Sequence, residues 1–172
     1  MGAVGRSAGS RRSGKALSAL LVSLSIAGCA GGGAVSGPEY LSENPEILVA
    51  MEEAIQDEYR AELIYLQVVD DFGPVLPFSN ILYAEGRHSE AIARLYVARG
   101  LSVPASRWTP AEIPGFPSVS EACRAGVEAE IANAEIYERY FELDLPADVR
   151  QVFESNRAAS LNNHLPAFER CS

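Results

Sequence analysis

Glu85-Gly86-Arg87-His88 lies within a strongly helical stretch and contains one of only two histidines in the chain. The other opens His164-x-x-Ala167, which echoes His88-x-x-Ala91. About thirty residues upstream of each histidine stands a second shared pattern: Glu58-x-x-Ala61-x-x-x-Tyr65 is mirrored by Glu130-x-x-Asn133-x-x-x-Tyr137. The chain is therefore an internal repeat of two helix pairs, each bringing a Glu and a His to one level. That is the layout of a carboxylate-bridged di-metal site inside a four-helix bundle.

Four segments carry the apolar period of 3.5 to 3.6 residues that marks an amphipathic helix. Residues 45–70 place Met51, Ile55, Glu58, Glu62, Tyr65 and Val69 on one stripe. Residues 79–99 align Ile81, Glu85, His88, Ile92 and Leu95, with Ser79 as the expected N-cap and Gly100 as the stop. Residues 120–143 put Cys123, Val127, Glu130, Ala134, Tyr137 and Phe141 inside; residues 146–169 do the same for Val149, Phe153, Ser160, His164, Ala167 and, just beyond, Cys171. Glu58, Glu85, His88, Glu130 and His164 thus share phase with apolar residues. A buried carboxylate without a partner is costly, so an inward Glu needs a cation, an Arg or a proton. Several inward Glu and His at one level favour a metal.

The connections predict the architecture. Residues 71–78 are short and rich in Pro and Gly, and only Asp144 and Leu145 separate the third and fourth segments. Each pair is then an antiparallel hairpin. Between the pairs runs a long unhelical crossover, 101–119, with Pro104, Pro110, Pro114, Pro117 and the sole Trp, Trp108. Two hairpins joined by one long connection predict an all-α, ferritin-like four-helix bundle. In that geometry Cys123 lies seven residues before Glu130 and Cys171 seven after His164. On antiparallel helices both cysteines then sit about 10.5 Å from the Glu–His level in the same direction, which predicts a disulfide. The alternative is two free buried thiols.

The ends and the charge complete the picture. Arg6, Arg11, Arg12 and Lys15 precede an apolar run at 16–28, too short to be a permanent membrane span. The run ends in Ile26-Ala27-Gly28-Cys29, which resembles the lipobox of bacterial lipoproteins; the resemblance implies lipidation of Cys29 as the first mature residue. The alternative is an ordinary signal peptide with a chance cysteine. The expected organisation is a signal at 1–28, a lipidated cysteine and Gly-rich linker at 29–44, and one helical domain at 45–172. The part after the signal holds all 23 acidic residues against ten arginines and no lysine, a formal charge of −13. Such a surface repels nucleic acid and concentrates cations instead. The expected location is the bacterial cell envelope, with the membrane as partner through the lipid. The sequence stops directly after the fourth helix, so a ferritin cage is not expected, whereas a dimer is compatible.

The series Glu58-Tyr59-Arg60-Ala61 through Tyr65, Pro77-Phe78-Ser79-Asn80-Ile81, Glu85-Gly86-Arg87-His88 and Asn163-His164-Leu165-Pro166-Ala167-Phe168 resembles the ferritin-like superfamily, rubrerythrins included. It is most similar to a bacterial branch of unknown function, over roughly 47–170. The resemblance implies Glu58 and Glu130 as terminal ligands and Glu85 as a bridge. His88 and His164 would each give one nitrogen to iron or manganese, with zinc tolerated. A second bridging carboxylate should stand three residues before His164, where the chain has Leu161. Leu161 is expected to fill the missing ligand's place. Glu62, one turn past Glu58, is the candidate substitute, and Pro166 is expected to bend the last helix. The implied activities are iron handling or chemistry with oxygen or peroxide. The competing expectation is a metal-free bundle serving as a binding or structural module.

Overall fold

The computed structural model describes residues 44–172 together with Met1, Gly2 and Leu41. The described residues from 44 to 172 belong to one compact unit. Lipidation of Cys29, and the signal and linker that surround it, lie outside the described residues.

The described part is all-helical, with no strand. Helix α1 spans Pro45–Phe72, with proline in the first turn where its missing N–H costs nothing, and it ends at Gly73, whose φ is +83°. Helix α2 spans Phe78–Ala98. It starts one residue before the expected Ser79 cap: Pro77 holds the cap position without a side-chain hydrogen bond, and Phe78 is driven fully into the core. At its far end Gly100 adopts φ +67°; its N–H bonds Val97 O, and Leu101 N–H bonds Tyr96 O, both at 3.0 Å. This paired closure needs a left-handed residue, which is why glycine stands there. Helix α3, Val119–Tyr140, is capped by Ser118, whose hydroxyl accepts from Glu121 N–H at 3.2 Å.

The fourth segment is not the single continuous helix expected over 146–169. Helix α4 covers Ala147–Ala159, a π turn covers Ser160–His164, and α5 covers Leu165–Glu169. Pro166 has no N–H for the carbonyl of Asn162, so the ladder is interrupted at this point. Leu165 N–H reaches back five residues to Ser160 O. The π turn advances the phase of everything after it. Phe168, rather than the expected Ala167, is the fully buried residue, and Ala167 and Cys171 are only partly buried.

Helix α1 packs on α2 and α3; α4 packs on α2 and α3; α5 packs on α3. The interior divides into two apolar clusters. One contains Ile47, Met51, Ile55, Ile92, Leu95, Tyr137, Val149 and Phe153. The other contains Ile64, Tyr65, Val68, Phe78, Ile81, Cys123 and Phe168. In the second, Tyr65, Phe78 and Phe168 meet with ring centroids 5.0–5.7 Å apart, and Cys123 is bridged to Cys171 with Cα atoms 5.8 Å apart. The disulfide predicted from helix phase is present.

The crossover is tied down by one buried amide. Gln56 Nε2 donates to Ala105 O at 2.8 Å, and Gln56 Oε1 accepts from Arg107 N–H at 2.9 Å. Trp108 Nε1 donates to the backbone carbonyl of the same residue at 2.8 Å. These bonds hold residues 105–108 against the middle of α1.

Candidate metal centre

Glu58, Glu85, Glu130 and His164 are buried and His88 nearly so; together they form the polar layer of the bundle. Each of the four long segments supplies at least one of them, as the repeat predicts. His88 Nδ1 lies 2.9 Å from Glu85 Oε2 and 3.4 Å from Glu58 Oε2. His164 Nδ1 lies 3.0 Å from Glu85 Oε1 and 3.2 Å from Glu130 Oε2. The imidazoles stack with centroids 5.3 Å apart and planes inclined by 21°. Glu85 therefore serves both histidines, one with each oxygen.

Two ligand sets result. Glu58, Glu85 and His88 each offer an atom within 4.8 Å of the others, and so do Glu85, Glu130 and His164. Glu85 is common to both. Glu62 joins neither set: its carboxylate accepts a hydrogen bond from Ser89 Oγ at 2.5 Å, and that contact holds it aside.

The tyrosines of the repeat cross over. Tyr65 on α1 donates to Glu130 Oε1 on α3 at 2.7 Å, and Tyr137 on α3 donates to Glu58 Oε1 on α1. Glu58 and Glu130 are thus each fixed through Oε1 and keep Oε2 for the interior. Sequence reasoning placed both rings in the core and assigned the hydroxyls no task. Their matched spacing from Glu58 and Glu130 was the available signal. Asn133 Nδ2 also donates to Asp57 Oδ2 at 2.9 Å and Glu58 Oε1 at 3.3 Å. Asn133 Oδ1 accepts from Ser160 Oγ at 2.7 Å, and Asn156 Nδ2 donates to the Tyr137 hydroxyl at 3.1 Å.

Leu161 does not fill the missing ligand's place as expected. It is only partly buried, whereas Ser160 is 0% exposed. Ser160, four residues before His164, was already on the predicted inner stripe, and the wider π turn leaves that place to it rather than to Leu161, three before. The position facing the site thus holds a hydroxyl bonded to Asn133.

The electrostatics follow from burial and from this pairing. Burial, then the like charge of Glu85, pushes Glu58 up to about 7. Burial alone would lower both histidines. The carboxylates outweigh it: Glu58 and Glu85 hold His88 up at about 10, and Glu130 and Glu85 hold His164 up at about 9. Burial would raise Glu85, but the imidazoles of His164 and His88 on either side of it keep it below the usual carboxylate range. Burial and the adjoining carboxylates push both tyrosines well above their ordinary value, so they stay donors.

Two oxygens have no hydrogen bond. Glu58 Oε2 and Glu85 Oε1 are buried and accept none, although each lies beside an imidazole nitrogen in poor geometry. Buried carboxylate oxygens normally have a donor. These two belong to different ligand sets. Hard oxygens left unbonded beside imidazole nitrogens suit iron, manganese or zinc. No protein-family model, curated protein or solved structure matches the chain.

Proposed function

We propose that this chain is a ferritin-like, lipid-anchored protein of the bacterial envelope that holds two divalent metal ions, iron or manganese, and uses them in iron handling or in chemistry with oxygen or peroxide. The observation that carries the reading is Glu85, whose two oxygens each face a separate histidine, with a further buried carboxylate completing each side. Glu58 and His88 would hold one ion and Glu130 and His164 the other, with an oxygen of Glu85 available to each. When bound, such a pair supplies Lewis acidity and, for iron, accessible redox change. The chain's own residues do the rest. Tyr65 and Tyr137 fix the terminal carboxylates, as outer-shell donors do at metal centres. The apolar clusters on either side exclude bulk water. Zinc would be held by the same donors without redox chemistry.

A metal-free role as a binding or structural module has its own support. The two imidazolium groups neutralise the layer internally, as ion pairs with Glu58, Glu85 and Glu130. Elemental analysis of the protein purified from its native envelope, and again after anaerobic incubation with iron(II) or manganese(II), separates the readings. Near-stoichiometric metal that is lost in Glu85→Gln supports the metal centre. No retained metal in either sample leaves the module.

A further inference from the structure

The two halves of the site differ at one repeat position. Glu58-x-x-Ala61 corresponds to Glu130-x-x-Asn133. Asn133 reaches across to Glu58 and closes that side with an amide. Its counterpart Ala61 has no side chain to reach Glu130, and a cavity of about 30 Å³ lies there, room for one or two water molecules. Its lining runs from exposed Arg60 and Ala132, through half-buried Asp57, Ala61 and Ala129, to buried Asn133, Glu85 and Glu130. Glu58 and the histidines do not line it.

We propose that this cleft between α1 and α3 is the path by which a divalent cation reaches the centre, and that the Glu85–Glu130–His164 side is loaded first. The proposal rests on the metal reading above. Three carboxylates, Asp57, Glu85 and Glu130, line the path against one arginine, and such a lining concentrates cations. Arg60 is drawn to one side, its guanidinium 5.4 Å from the centre of the Trp108 ring. Trp108 is itself fastened to α1 through Gln56 O, so the crossover holds the one positive charge at the rim. The alanines Ala61, Ala129 and Ala132 keep the passage open, and any larger side chain would narrow it. Asn133 forms part of the same wall, and passage on toward Glu58 would have to break its bonds to Glu58, Asp57 and Ser160.

The test is to block the mouth after folding. Ala132 is exposed, and Cys123 and Cys171 are tied in a disulfide. Ala132→Cys in the full chain is therefore labelled with a bulky maleimide, with wild type treated identically to account for Cys29. Loading of manganese(II) is followed in time by metal content after rapid desalting, alongside Ala61→Leu. The labelled variant and Ala61→Leu should load at least about tenfold more slowly, because entry must then wait for the helices to part. Final metal content should be unchanged. Loading of the labelled protein at the wild-type rate overturns the path, even if Ala61→Leu fails to fold. Absence of metal in wild type at any time overturns the metal reading itself, and the path with it.

Discussion

Metal should displace protons from this site, and the number is set by the pairings. At pH 7 His88, held at about 10, and His164, at about 9, are both protonated, and Glu58, at about 7, is half protonated. Ligation needs all three deprotonated. Filling both sides at pH 7 should thus release about two and a half protons, falling to about two by pH 8 as Glu58 loses its share. The combined affinity for two ions should then rise about a hundredfold per pH unit between 7.5 and 8.5. Calorimetric titration with manganese(II) in two buffers of different ionisation enthalpy counts the protons directly.

The stability of the metal-free protein should run the other way. Glu58 binds its proton more tightly folded than unfolded, so stability falls as pH rises from about 4.5 to about 7. The raised histidines contribute fully below about 6.5 and lose that contribution as pH passes 9 to 10. Melting temperature without metal should decline across this whole window, and saturating metal should flatten the decline above pH 7. Release of fewer than one proton, or a metal-free melt that rises with pH, would refute the pairing of the histidines with these carboxylates.

Reduction of the Cys123–Cys171 bridge, which closes a separation of 48 residues, should cost about 4 kcal/mol in the chain-entropy account, read from denaturant melts with and without reductant. Gly126→Ala should destabilise by about 1–3 kcal/mol, because its Cβ would stand 2.8 Å from the Phe168 ring; an unchanged melt would mean α3 and α5 do not approach this closely. Ser160→Glu should lower the metal-free melting temperature and regain more of it with manganese(II) than Leu161→Glu does. A larger response from Leu161→Glu would show that the π turn does not set the inner face.

The all-helical class, the four helical segments, the disulfide and the converging Glu and His residues were legible because each follows from a strict helical period. A residue that repeats in phase over several turns must share a face with its neighbours. Glu58, Glu85, His88, Glu130 and His164 were found by that rule together with the internal repeat. What escaped was contact between distant residues. Gln56 sits buried in α1 to bind a loop some fifty positions away, and Asn133 and Asn156 are buried through partners on other helices. No local pattern announces such pairs. The π turn left only indirect marks. Pro166 pointed to a break, but the slip of one residue that buries Phe168 depends on Gly126 across the interface, where the missing Cβ admits the ring. A mid-helix glycine read alone says only that a close approach is present somewhere.

The two departures from symmetry bear on the same quantity, the charge around each ion. A first dication on either side would meet two carboxylates, Glu85 with Glu58 or Glu85 with Glu130, and its charge would be balanced. A second would add only one new carboxylate, because Glu85 would already be engaged. It would have to bind beside an existing dication with a net charge of +1 left over, in a buried layer where screening is weak. If metal binds here, two unequal steps follow from the ligand count, whichever side fills first. The repeat position that would restore balance carries Leu161, but the π turn hands the inward place to Ser160, whose hydroxyl adds no charge. This is why a carboxylate at position 160, not 161, is the substitution that should bring the two steps together. It is also why the cleft matters: with entry beside Ala61, the Glu130 set would meet the cation while both of its carboxylates are still available, and the Glu58 set, which does not line the cleft and is held by Asn133, would receive the weaker second ion.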